Sequence, residues 1–144
     1  MYNLKNDKVG NKVSTNISPR EYKKTYIDAL SSFQNGEFER AITGFAGLVM
    51  GDPMNDLADN SQYWLAECYY TMKNYKRAVI EFEKVFTFAG TDKDDDAQLK
   101  LGHCHRSMGN IDKALEEYQR LIDYFPGSEF FEKARESIKG INIR

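Results

Sequence analysis

Tyr63-Trp64-Leu65-Ala66-Glu67-Cys68-Tyr69-Tyr70, the turn at Lys73-Asn74, then Tyr75 and Ala78-Val79-x-x-Phe82 form the stretch from which the fold can be read. Its second half is not unique in the chain. Ala41-Ile42 with Phe45 precedes it and Ala114-Leu115 with Tyr118 follows it, at spacings of 37 and 36 residues. Each copy has the form Ala-x3-aromatic, and each is preceded by a turn, at Asn35-Gly36, Lys73-Asn74 and Gly109-Asn110, and then by Phe38, Tyr75 or Ile111. The first half also returns, as Leu101-Gly102-x-x-His105 and more weakly as Asp28-Ala29. A fixed period of this length signals stacked structural units, none of which can bury its apolar face alone.

Each unit reads as two amphipathic helices. Tyr26, Ala29, Leu30 and Phe33 share one helical face, and so do Ala41, Phe45 and Leu48 after the Gly36 turn. Ser18-Pro19-Arg20-Glu21 is a capping box with proline at the first helical position, Asn55 and Asn110 suit N-caps, and Gly51 suits a left-handed helix end. The expected helices are 19–34, 37–50, 56–72, 75–88, 93–108, 111–124 and 129–139. Ala29, Ala66 and Gly102 on the first helices, with Ala41, Ala78 and Ala114 on the second, mark close approaches beside the large residues Phe45, Phe82 and Tyr118. The expected organisation is a flexible basic arm over 1–17, units at 18–54, 55–91 and 92–127, and a capping helix over 128–144. That last helix would open at Ser128 and present Phe131, Ala134, Ile138 and Ile141 on one apolar face.

Charge narrows the function. Of 144 residues with net charge -2, the first 24 hold six basic side chains against Asp7 and Glu21, which leaves an acidic body. That argues against a nucleic-acid groove. No apolar run approaches the ~20 residues that span a bilayer, so no membrane insertion is expected. The N-terminal residues contain no apolar stretch able to act as a signal peptide, and any export address would lie upstream.

Cys68 and Cys104 fall at equivalent places on helices about 8–10 Å apart, beyond disulfide reach, and read as buried small hydrophobes. His103-Cys104-His105 does not read as a metal site, because residues i and i+2 of a helix point about 200° apart. His105 should pack inward and His103 should face a groove. An EF-hand aligned on Asp92 needs Gly and Glu where Ala97 and His103 stand, so Asp92 to Asp96 reads as a helix N-terminus capped by Asp92. No nucleophile, phosphate or dinucleotide motif occurs, so neither an enzyme nor a cofactor is expected.

The pattern resembles the tetratricopeptide repeat, Trp-x2-Leu-Gly-x2-Tyr…Ala-x3-Phe…Pro, in three units. The resemblance implies an all-α, right-handed α-solenoid of three helix hairpins plus a C-terminal cap, acting as a scaffold that binds protein. A closer likeness is to the C-terminal domain of the Tol-Pal-associated cell division coordinator family, CpoB/YbgF. It rests on Ala29-Leu30, Gly36-x-Phe38-x-x-Ala41-Ile42, the Tyr63 to Tyr70 run, Leu99-Lys100-Leu101-Gly102 and Tyr124-Phe125-Pro126-Gly127-Ser128. Outer-membrane assembly lipoproteins share the repeat style. The likeness implies a module that joins a Tol-system protein to the cell-wall synthesis machinery, periplasmic if an upstream signal peptide has been removed and cytoplasmic otherwise; the chain by itself is expected to be a monomer. The alternatives are a cytoplasmic adaptor that organises another complex and a module like that of the outer-membrane assembly lipoproteins.

By the same resemblance the first helix of each hairpin lines a concave groove. The spacing then places Tyr26, Leu30 and Phe33, next Tyr63, Glu67 and Tyr70, and last Leu99, His103 and Arg106 along it, where solvent should reach them. Exposed aromatic clusters of this kind mark partner sites. The Lys and Asn set of a carboxylate clamp is missing there, which argues against a chaperone tail. The expected ligand is a single amphipathic segment, apolar at one end and acidic near Arg106.

Overall fold

A computed structural model describes residues 17–143. Seven helices run through them: α1 Pro19–Gln34, α2 Phe38–Gly51, α3 Ala58–Thr71, α4 Tyr75–Val85, α5 Asp94–Ser107, α6 Ile111–Tyr124 and α7 Phe131–Asn142. No strand occurs among the described residues. The basic arm expected over 1–17 lies outside them except for Ile17, which packs against the first core.

Local chemistry sets the hairpins. The capping box closes as expected: Glu21 N–H donates to Ser18 Oγ at 3.1 Å and Ser18 N–H to Glu21 Oε1 at 3.3 Å. Each hairpin turns on one left-handed residue, Gly36 at φ +81°, Lys73 at +65° and Gly109 at +82°. Asn74 Oδ1 then accepts from Arg77 N–H to start α4.

Four expected boundary roles are corrected. Gly51 stays helical, and Asp52 leaves the helix at φ -152° because the proline that follows disfavours the helical region there. Asn55 caps a tight turn by accepting from Leu57 N–H at 2.9 Å, so α3 starts only at Ala58. Lys93, not Asp92, stands at the N-cap of α5, with Asp94, Asp95 and Asp96 in its first turn. Ser128 shapes the turn before α7, where its Oγ accepts from Phe130 N–H. Helix α4 also stops at Val85, short of the expected 88, where Thr87 Oγ1 donates to the Lys84 carbonyl.

The core consists of three repeated clusters. The first joins Ala29, Ala41, Phe45 and Leu48 to Leu65 and Cys68 of the next unit. The second joins Ala66, Ala78, Phe82 and Val85 to Leu101 and Cys104. In the third, Ala114, Tyr118 and Leu121 meet Ala134 and Ile141 of α7. Each hairpin is thus completed by the first helix of its successor, and α7 supplies that helix at the end. Burying each large side chain stabilises the stack by roughly 1.5–3 kcal/mol. Both cysteines are free and buried, and burial pushes their thiols up to about 12.

Polar contacts tie one unit to the next. Tyr22 Oη lies 3.0 Å from Ser61 Oγ, Tyr63 Oη donates to Asp96 at 2.9 Å, and Ser128 Oγ donates to Asp95 at 2.5 Å. Within two hairpins a buried amide and carboxylate repeat. Gln62 Nε2 donates to both the backbone oxygen and Oε1 of Glu81, and Gln98 Nε2 does the same to Glu117.

Candidate functional site

Counted from the small residue of each first helix (Ala29, Ala66, Gly102), the nine expected groove residues form three rows. The structure separates them. Tyr63 is only 4% exposed and Leu99 only 5%, so the expectation that solvent reaches these two fails. Both sit between successive first helices: Tyr63 packs on Phe82 at 5.7 Å and hydrogen-bonds Asp96, while Leu99 joins the last core. Burial, reinforced by Glu67 and Asp96, pushes the Tyr63 hydroxyl far above its ordinary range. Tyr26, in the same row, is half-buried with its ring edge-on to Phe45 at 5.9 Å.

The other two rows line the surface. Leu30, Glu67 and His103 are half-buried, as are Phe33, Tyr70 and Arg106. A further row, absent from the sequence expectation, completes it: Ile27, which is 56% exposed, Trp64 and Lys100. These three recur at the same 37 and 36 spacing, the signal that could have revealed them. They link neighbouring units, since the Trp64 ring meets Phe33 at 5.3 Å and Lys100 Nζ donates to Glu67 at 2.9 Å while lying 4.5 Å over the Tyr70 ring. The face therefore runs from apolar and aromatic groups on α1 and α3 to charged ones on α5.

At its α5 end the face opens into a cleft of ≈ 420 Å³ between α3, α5 and α7, lined by Tyr70, His103, Arg106, Lys133, Glu136 and Ser137. Its floor depends on one glycine. A Cβ on Gly102 would stand 2.4 Å from the Tyr118 ring, and that space lets the buried Tyr118 hydroxyl reach His103 Nδ1 at 2.6 Å. Burial, with Lys100, Lys133 and Arg106 adding to it, lowers the His103 imidazole to about 4, so it is neutral at ordinary pH. Burial raises the Tyr118 hydroxyl against the opposing influence of Arg106 and Ser137. His105 is buried in the place of the inward tyrosine. No three His, Cys, Asp or Glu side chains converge to hold a metal among the described residues, and no described helix is long and apolar enough to cross a membrane.

Comparison with known proteins bears on the repeat. Two tetratricopeptide repeat models match residues 59–92 and 96–128, which hold α3 with α4 and α5 with α6. No curated protein matches the sequence. Among solved structures, PcrH in complex with the chaperone binding region of PopD is similar at TM-score 0.76 and 16% identity, covering 90% of this chain and 97% of that one. The Yersinia enterocolitica type III secretion chaperone SycD, in complex with a peptide of the translocator YopD, is similar at 0.73 and 21%, covering 90% and 98%. MamA is similar at 0.70 and 23%, covering 92% and 72%. The chain thus carries tetratricopeptide repeats at 59–92 and 96–128 and folds as an all-α solenoid of that type.

Proposed function

We propose that this protein is a non-catalytic scaffold whose first-helix face holds one amphipathic segment of a partner protein. The observation that carries this reading is the partly accessible surface formed by two adjacent rows, Ile27 and Trp64 beside Phe33 and Tyr70, which continues into Lys100 and Arg106 of α5. Aromatic side chains with a polar rim are the usual anchors of a binding surface. A segment laid along three first helices covers little area, which suits a complex of modest affinity.

For the partner, the residues shared with the CpoB/YbgF family support a periplasmic module of the cell envelope, linking a Tol-system component to cell-wall synthesis. A second reading is favoured by near-complete overlap with PcrH and SycD, both solved with segments of the proteins they hold. In it, the chain shields a segment of an exported protein in the cytoplasm. Fractionation of cells carrying the tagged protein separates the two: recovery in the periplasm supports the first, and recovery in the cytoplasm the second.

The site itself is tested with photo-crosslinking residues placed at Ile27, Tyr70 and Arg106. All three should capture one short segment. Capture only from the outer helices, at Glu83 or Glu116, would refute the first-helix face.

A further inference from the structure

Arg106 and Lys133 reach the cleft from different helices, and neither takes part in an ion pair among the described residues. Cations such as Lys24, Arg77, Lys84, Lys113 and Arg120 each have a carboxylate within 4 Å; Lys23, Lys76 and Lys139 have none among the described residues, and what distinguishes Arg106 and Lys133 from these is that they line one cleft together. Lys100, the nearest other cation on the face, is held by Glu67. Arg106 reaches toward α7, where a Cβ on Gly140 would come 3.8 Å from its Nη2.

We propose that this cleft receives a single carboxylate side chain of the bound segment, so that the segment lies with its acidic end against α7 and its apolar part over Tyr70, Trp64 and Phe33. The inference rests on the first-helix face being the docking surface. Charge selects the ligand. Arg106 and Lys133 against Glu136 leave one positive charge, which matches a monoanionic carboxylate; a dianionic phosphate would bring excess charge against Glu136. A guanidinium fork gives the carboxylate a geometric partner, and Lys133 adds a point charge. His103 is already committed to Tyr118 and adds no competing charge.

The test uses the whole chain and the emission of Trp64, the one tryptophan, which reports on the apolar part of the face. The probes are an amphipathic peptide of about 16 residues, ~24 Å as a helix, ending in glutamates, and its counterpart ending in glutamines. The glutamate peptide should bind about tenfold more tightly in low salt. The variants Lys133→Glu and Arg106→Gln should each erase that preference, read as the ratio of the two peptides' affinities within one variant, so that any change common to both peptides cancels. Equal affinities in the unaltered protein, or a preference that survives both substitutions, would overturn the cleft assignment while leaving the docking face intact. If neither peptide alters Trp64 emission, the docking face itself is wrong. The cleft is then judged by the NMR signal of Arg106 Nε–H with acetylated triglutamate: a saturable shift keeps the carboxylate site, and no shift removes it. A larger shift with inorganic phosphate than with triglutamate would also overturn the carboxylate assignment.

Discussion

Lys73 stands where the other two hairpin turns have glycine. It holds φ +65° with an exposed side chain, a conformation that costs a residue bearing a Cβ roughly 1–2 kcal/mol. Lys73→Gly removes that strain but adds freedom to the unfolded chain, so the expected net gain is about 0.5 kcal/mol, read as a small rise in urea midpoint with unchanged slope. Gly102 presents the opposite case. Gly102→Ala drives a methyl into the Tyr118 ring and should lower stability by about 1–3 kcal/mol, visible in the same experiment and accompanied by loss of the His103–Tyr118 hydrogen bond in NMR. Small residues beside large ones were legible in the sequence because they recur in identity at a fixed spacing. The exposure of Tyr63 and Leu99 was not. A helical wheel assigns a face to one helix, whereas burial depends on how closely the neighbouring helix approaches, and the accessible row at Trp64 and Lys100 lies only about 60° round from Glu67 and His103.

At the scale of the element, the second and third hairpins each enclose a buried carboxylate. Burial pushes Glu81 up, but hydrogen bonds from Gln62 and Arg77, with Lys84 nearby, outweigh it and hold the group below its ordinary value of 4.5. Its contribution is therefore fully present above about pH 4.5 and is lost as the pH falls through the lower folded value. Glu81→Gln should cost about 1–3 kcal/mol at neutral pH, and thermal melts should show a smaller acid loss in the variant than in the parent. A parallel pH dependence in both would place the acid sensitivity elsewhere. The first hairpin lacks this device, having Thr25 and Gly44 at the corresponding places, and closes instead by direct approach, with a Cβ on Gly44 falling 3.0 Å from Ala29 Cβ. The amide–carboxylate pairs at Gln62–Glu81 and Gln98–Glu117 were visible as a 19-residue spacing repeated after 36, but charged residues on a helix are read as solvated unless a partner is seen. The cleft was harder to foresee, because it depends on Lys133 and Ser137 of α7, whose sequence does not repeat the Ala-x3-aromatic period of the three hairpins.

For the whole molecule, α7 decides whether the stack ends cleanly. It covers Tyr118 and Leu121 with Ala134 and Ile141. Removing residues 128–144 should lower the melting temperature and cause concentration-dependent association in sedimentation velocity, since the apolar side of α6 would be uncovered. An unchanged melt and a monodisperse boundary would show that the third hairpin needs no cover. The extensive helix contacts among the described residues all join consecutive helices, and a smaller contact links α1 to α3. Mechanically, such a chain is a set of springs in series. Tension applied between its ends passes through every unit, and the end units, packed against a neighbour on one side only, give way first, so the molecule should lengthen by peeling from an end in successive steps at low force, and a partner segment lying across three units would act as the splint that resists the pull.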